Sequence, residues 1–378
     1  MKKILFVAST LSHIENFHMP YIKYFKEHGY NVHVIGKANN KSELKCIDKI
    51  IPVPFQKNMF SIKNFSNAIK IGKIIKSENY DIISLHTTLA AFFTRLGIML
   101  SFNKPNLVIN TVHGYLFDNN SSFIKKIIMV MAEKITKCVT DTIIVMNRDD
   151  YKIAQKHKLY RNNIYSIDGM GINLSSYSPI SYEDKIALRK KHHFSINDFF
   201  LIYVAEFSKR KNQKFIINTV DKLVKDGYTN IKLLLLGDGI LLDELKTYTK
   251  ELGINNNVFF IGYTKDTCTY YQMADICVSS SRIEGLPFNI MEAMCVGLPI
   301  VASNVKGHKD LVIPNENGFL FEYDNDSEFY TYIKTIYDSK EIQYKMSNKS
   351  LDLVENYSIN NILPKTINII LNEYKSHI

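Results

Sequence analysis

Two carboxylates, Glu284 and Glu292, lie in the segment 279–303, SSSRIEGLPFNIMEAMCVGLPIVAS. Between them a Gly285-Leu286-Pro287 turn opens a short apolar helix, expected to run to about Val296 and stop at Gly297. Proline suits a first helical turn, where its missing N–H has no intrahelical partner, and glycine suits the exit. A strand–loop–helix start aims backbone N–H groups and the positive end of the helix dipole at one spot, which fits an anion, most often a phosphate. Carboxylates repel an anion, so Glu284 in the loop and Glu292 in the helix are expected to grip hydroxyl groups beside it. Phosphates and hydroxyls together describe a nucleotide sugar. The plainer alternative is a solvated helix glutamate in an ordinary strand–turn–helix unit, and spacing alone leaves both open.

Other segments carry compatible groups. VAEFSKRKNQKF puts Lys209, Arg210 and Lys211 after a strand and before a helix, where they could neutralise a leaving diphosphate. Simple surface charge competes with that reading for Lys209 and Arg210 more than for Lys211. LLLLGDGILLDEL has Gly237 and Gly239, but Leu242 stands where a dinucleotide fingerprint needs a third glycine. VFFIGYTKD offers Gly262 and Tyr263, NTVHGYLF puts His113 just after a strand, and SLHTTLAAFFTR offers His86 and Thr87. A lone histidine is more often structural, but polar groups at strand carboxyl ends face the ligand in open parallel sheets.

The elements that must position these groups alternate. Apolar runs at 4–8, 31–35, 82–86, 107–112, 142–145 and 164–167 read as buried strands, with helical periodicity at 17–29 and 62–78. The pattern breaks at the Gly-rich stretch 168–173 and restarts with strands at 199–205, 232–236, 258–261, 276–279 and 299–302, before a helix at 359–374. Alternating strands and helices predict an α/β protein with parallel sheets. The expected organisation is residues 1–172 as one doubly wound domain, 173–356 as a second, and 357–378 as a terminal helix. Ligands are then expected in a cleft at the strands' carboxyl ends.

The 378 residues are 46% hydrophobic and 22% charged, ordinary for a globular chain. No apolar run approaches the roughly 20 residues of a membrane span, and the run at 4–8 is shorter than the roughly 7–15 of a secretory signal core. Five scattered cysteines without a CxxC pair point to reduced thiols in the cytoplasm and away from a zinc site. Residues 1–180 hold 24 Lys+Arg against 12 Asp+Glu, whereas the remainder is nearly neutral. Such asymmetry suggests a polyanionic partner. Ile62, Phe65, Ile69 and Ile74 can share a helical face beside Lys63, Lys70, Lys73 and Lys76. Ile127, Ile128, Met131 and Ile135 stand among Lys125, Lys126, Lys134 and Lys137. Basic amphipathic helices either pack a core or lie on an anionic membrane.

The Glu-x7-Glu segment with EGLP, EAM and the following GLPIVAS closely resembles the family 4 retaining glycosyltransferases of GT-B fold, and the resemblance spans nearly the whole chain. It implies two Rossmann-like doubly wound domains facing an interdomain cleft, the terminal helix crossing back to the first. It implies Glu284 on the donor sugar, Glu292 on the ribose, and the amides of Gly285, Leu286, Phe288 and Asn289 on sugar and diphosphate; Pro287 cannot donate. Lys211 matches a diphosphate-binding lysine. Glu206 stands where the family has an arginine, a departure that Arg210 could make good. Gly237 and Tyr263 fall at the rim of the base pocket, His113 at the donor sugar, and His86 and Thr87 at a cleft loop contacting acceptor or donor. The place of the family's glycine-rich loop after the first strand, residues 9–15, has no glycine.

The implied activity is metal-independent, retaining transfer of a hexose or N-acetylhexosamine from a nucleotide diphosphate, preferably a UDP-sugar. The acceptor would be a glycan or lipid-linked, as in capsule or exopolysaccharide assembly, with no cofactor, at a cytoplasmic location peripheral to an anionic membrane. The rivals are a nucleotide-sugar 2-epimerase and a basic nucleic-acid-binding protein; no RNP, KH or zinc-finger pattern supports the latter, and no nucleic acid is expected.

Overall fold

Continuous apolar runs, rather than alternating ones, mark the strands, because both faces of a parallel sheet are covered. The computed structural model describes residues 1–37, 46–56, 58–118 and 121–378. In it the chain forms two units, Met1–Gly171 with Asn360–Ile378, and Ile172–Ile359.

In the first unit, β1 (Lys3–Thr10), β2 (Asn31–Lys37), β3 (Lys49–Pro52), β4 (Ile82–His86), β5 (Leu107–Val112), β6 (Thr142–Val145) and β7 (Asn163–Ser166) form one sheet, ordered β3-β2-β1-β4-β5-β6-β7. Every neighbouring pair is parallel. The short edge strand β3, with three of its four residues exposed, lacks the apolar run that identifies the others.

The helices differ from expectation in two places. One helix was expected at 17–29; the structure has α1 (Leu11–Phe17) and α2 (Met19–Glu27), broken at His18. Pro20 in the first turn of α2 cannot extend α1's hydrogen-bond ladder, and Thr10 caps α1 through a bond from His13 N. The glycine-free stretch after the first strand is thus the end of β1 and the start of a helix. The strand expected at 82–86 is β4, but the cleft loop implied at His86 and Thr87 is reduced to Thr87 alone, at φ 63°, before α4 (Thr88–Ser101).

The helix α3 (Ile62–Glu78) crosses α4 where Gly72 meets Gly97. A Cβ on Gly72 would stand 2.4 Å from the Gly97 carbonyl oxygen, so only glycine allows the approach. Ala68, Ile71 and Ile75 make the buried face of α3. The apolar residues grouped from the sequence lie elsewhere: Ile62 is 85% exposed, Phe65 and Ile69 are exposed, and Ile74 is half-buried. On α5 (Phe123–Thr136), Met129, Val130, Ala132 and Glu133 are buried, whereas Phe123 and Ile124 are 76% and 71% exposed and Ile127, Ile128, Met131 and Ile135 are also exposed. Both helices therefore carry an apolar face that the core does not cover.

The second unit repeats the plan. Its strands β8 (Phe199–Val204), β9 (Ile231–Leu236), β10 (Val258–Gly262), β11 (Ile276–Ser279), β12 (Ile300–Ser303) and β13 (Gly318–Phe321) are ordered β10-β9-β8-β11-β12-β13 and all parallel. Leu201, Tyr203, Leu233, Leu235, Val278, Val301 and Phe321 share one core with flanking helix residues. Strand order reverses between β1 and β4 in one sheet and between β8 and β11 in the other, and the crevice beside such a switch point is where ligands bind. Residues 360–378 pack with the first unit, where Glu373 of the terminal helix Ile359–Ser376 accepts bonds from Thr142 Oγ1 (2.5 Å), Tyr165 OH (2.7 Å) and Asn163 Nδ2 (2.9 Å).

Candidate active site

At the switch point of the second sheet, the loop after β8 meets the loop after β11. Lys211 Nζ lies 2.6 Å from Glu284 Oε1, and Arg210 reaches the same oxygen at 3.1 Å while donating to the Ile283 carbonyl. Neither of these two contacts is to Oε2. Lys211 and Glu284 are buried, whereas Arg210 is exposed. Burial alone would raise the Glu284 carboxyl, but the Lys211 and Arg210 charges outweigh it and hold the pKa at about 2. Burial also lowers Lys211, against the opposing pull of Glu284.

The loops are held from behind. Tyr203 OH, on β8, donates to the Lys211 carbonyl (3.0 Å) and lies 2.8 Å from Ser281 Oγ. Ser280 Oγ lies 3.0 and 2.8 Å from the carbonyl oxygens of Lys211 and Asn212. The buried His308 is within 3.2 Å of Ser279 Oγ, and burial lowers its pKa to about 4. Gly307 adopts φ 81°, and a Cβ there would stand 2.1 Å from the Gly285 carbonyl oxygen, so this glycine lets the two segments cross. None of these supporting residues was singled out from the sequence; the run Ser279-Ser280-Ser281 at a strand's carboxyl end was the available signal.

The helix after Glu284 spans Phe288–Cys295, with Val296 capping it and Gly297 at φ 78°. Pro287 is the residue before the first turn, at φ −77° and ψ 122°, rather than within it. Glu292 is half-buried one turn in, 3.0 Å from Tyr271 OH, which is also 3.0 Å from the Asn289 carbonyl. Burial raises the Glu292 carboxyl, partly offset by the hydroxyls of Tyr271 and Tyr177. Asn289 Nδ2 is buried without a hydrogen-bond partner. Leu286 is buried, and Gly285 and Phe288 are half-buried. Gly237 has a packing reason: its Cβ would meet the Ala205 carbonyl oxygen at 2.2 Å, where the end of β9 crosses the loop after β8. Tyr263 is 75% exposed.

The first unit gathers histidines at its own switch point. His86 ends β4, with Nε2 2.9 Å from Ser84 Oγ and Nδ1 3.1 Å from Nε2 of His113, which follows β5. Thr87 Oγ1 accepts from Ser9 N at 3.0 Å. His13 and His18, of no interest in the sequence, complete the group: His18 lies tilted against His86 with ring centroids 3.8 Å apart, and His13 meets His113 at 4.8 Å. Burial first, then the neighbouring imidazoles, pushes His113 well below its usual range.

Comparison with known proteins matches both halves. Residues 184–352 fit the family described as glycosyl transferases group 1, and residues 3–142 fit one described as glycosyl transferase 4-like. A Bacillus subtilis (strain 168) protein provisionally named glycosyltransferase EpsD is 31% identical over 348 residues, 92% of this chain and 91% of that one. The Escherichia coli UDP-Gal:α-D-GlcNAc-diphosphoundecaprenol α-1,3-galactosyltransferase is 24% identical over 309 residues, covering 80% and 78%. Among solved structures, Anabaena Alr3699/HepE in complex with UDP and glucose superposes with a TM-score of 0.79 at 18% identity, covering 98% of this chain and 99% of that one. The chain belongs to the group 1 glycosyltransferases and has the GT-B fold.

Proposed function

We propose that the protein is a retaining hexosyltransferase that transfers a hexose or N-acetylhexosamine from a UDP-sugar to a lipid-linked glycan acceptor in surface-polysaccharide assembly. The observation that carries this is the buried Lys211–Glu284 pair, joined by Arg210, beside the start of the helix holding Glu292. The C1–oxygen bond to the diphosphate breaks while charge grows on the leaving phosphate, and Lys211, Arg210 and the helix start are suited to stabilise it. The acceptor oxygen bonds to C1 on the same face, and its proton passes to the leaving phosphate, a route that needs no metal and no enzyme nucleophile. Glu284 would grip a sugar hydroxyl and Glu292 the ribose. The E. coli relative's diphosphoundecaprenol-linked acceptor and the UDP held by HepE support the choice of acceptor and donor.

The exposed apolar faces of α3 and α5, set among Lys63, Lys70, Lys73, Lys125, Lys126 and Lys134, support docking on an anionic membrane at its cytoplasmic side. Incubation with UDP-sugars and a polyprenyl-diphosphate-linked acceptor tests the reaction, with the anomeric configuration read by NMR. An inverted product would overturn retention, and altered sugar without acceptor would favour the epimerase. UDP should stabilise the protein to heat more than GDP.

A further inference from the structure

Histidine imidazoles in a protein interior are ordinarily hydrogen-bonded, because a buried unpaired nitrogen has lost its water without gaining a partner. In the first unit this is violated three times in one place. His18, fully buried at the break between α1 and α2, has no hydrogen-bond partner at either ring nitrogen, and His13 Nε2 is buried without one. One ligand nitrogen from each of His13, His18 and His113 lies within 4.8 Å of the others.

We propose that His13, His18 and His113 form a binding site for a zinc-class transition-metal cation. Imidazole nitrogens suit zinc and its neighbours and not magnesium or calcium. A tetrahedral ion with nitrogens at 2.0–2.1 Å sets them about 3.3 Å apart. Closing the group to that spacing would break no hydrogen bond at His18 or at His13 Nε2, because neither makes one. Metal-bound imidazoles must be unprotonated at the binding nitrogen, so binding should weaken at acid pH. His86 supplies the outer contact that fixes a metal-bound imidazole. With His113 Nε2–H donating to His86 Nδ1 and His86 Nε2–H donating to Ser84 Oγ, the His113 Nδ1 lone pair is left for the ion. Three histidines leave a fourth position for water or a ligand oxygen. The absence of a CxxC pair is no obstacle, since the donors come from α1, the α1–α2 break and the end of β5.

The test needs no sugar donor, so its outcome is separate from that of the proposed transfer. The full chain, stripped with chelator, is titrated with Zn2+ alone by calorimetry and with Co2+ alone by visible absorption. One equivalent of Zn2+, the intense ligand-field bands of four-coordinate cobalt, and a rise in Tm with added metal are expected. His13→Asn and His18→Asn should each weaken binding at least about 10-fold; circular dichroism identifies a variant that has not folded, and His13, nearer the surface, is the safer of the two. No binding by the wild type, or undiminished binding by folded His13→Asn, overturns the proposal.

Discussion

A single carboxylate, Glu284, organises the proposed donor site. Glu284 would sit at a hydroxyl, yet in the structure it neutralises a buried lysine, so replacing it has two consequences. Glu284→Gln should reduce transfer at least 100-fold, and it should also destabilise the fold by about 3 kcal/mol, because Lys211 stays buried without its counter-charge. The sign of the pH effect follows from the depressed pKa. Stabilisation by Glu284 is fully present above its unfolded value of 4.5 and is lost as pH falls through about 2. Urea midpoints of wild type and Glu284→Gln should therefore differ at pH 6 and converge toward pH 2; a constant gap would refute the pairing. Glu292 predicts the reverse. Its carboxyl is raised by burial, so its charge costs stability once pH rises above the folded pKa. Glu292→Gln should raise the Tm of the ligand-free protein at pH 7 by a few degrees, as about 1 kcal/mol would do, while calorimetry shows weaker UDP binding.

At the scale of elements, the α3–α4 crossing depends on two glycines facing each other. A Cβ on Gly97 would meet the Ala68 carbonyl oxygen at 2.4 Å, so Gly97→Ala should cost about 1–3 kcal/mol, despite alanine's better helix propensity, as denaturant midpoints will show. The exposed faces make a separable prediction: Phe123→Ser with Ile124→Ser should leave Tm nearly unchanged but weaken sedimentation with phosphatidylglycerol vesicles several-fold, and unchanged sedimentation would remove the membrane role from α5. Strands buried on both faces were legible because their apolar runs are unbroken, and the run 107–112 coincides with β5. The short strands β3 and β13 and the helix α4 were not, since four-residue runs are ambiguous and a motif match made the residues after β4 a loop. Periodicity on α3 and α5 identified apolar faces without telling which faced the core. On the candidate site, Lys211, Glu284 and Glu292 were legible through local motifs. Tyr203, His308, His13 and His18 were not, because strands distant in sequence bring them there.

Across the whole molecule, the chain leaves the first unit near residue 171 and returns to it at residue 360, so the first unit is completed only by residues that follow the second unit in the chain. What fastens that return is a buried carboxylate with three side-chain donors, Thr142, Asn163 and Tyr165, from the neighbouring strands β6 and β7. Burial would raise the Glu373 carboxyl, yet these bonds, with His377 nearby, lower it. Hydrogen bonds to a charged acceptor contribute about 1.5–3 kcal/mol each, and their losses here are not additive because the donors share one site. Glu373→Ala should thus destabilise the first unit by about 3 kcal/mol, roughly 6–12 °C for a unit of this size. The second unit has its own core and sheet, so its unfolding transition, recognised by its upward shift with UDP, should stay in place. The difference between wild type and Glu373→Ala should be full above pH 4.5 and shrink as pH falls below it, since the lowered carboxyl stabilises only while ionised. Calorimetric scans at pH 7 and pH 4 decide the matter: parallel loss in both transitions would mean that the terminal helix stabilises the chain as one cooperative body and not the first unit alone.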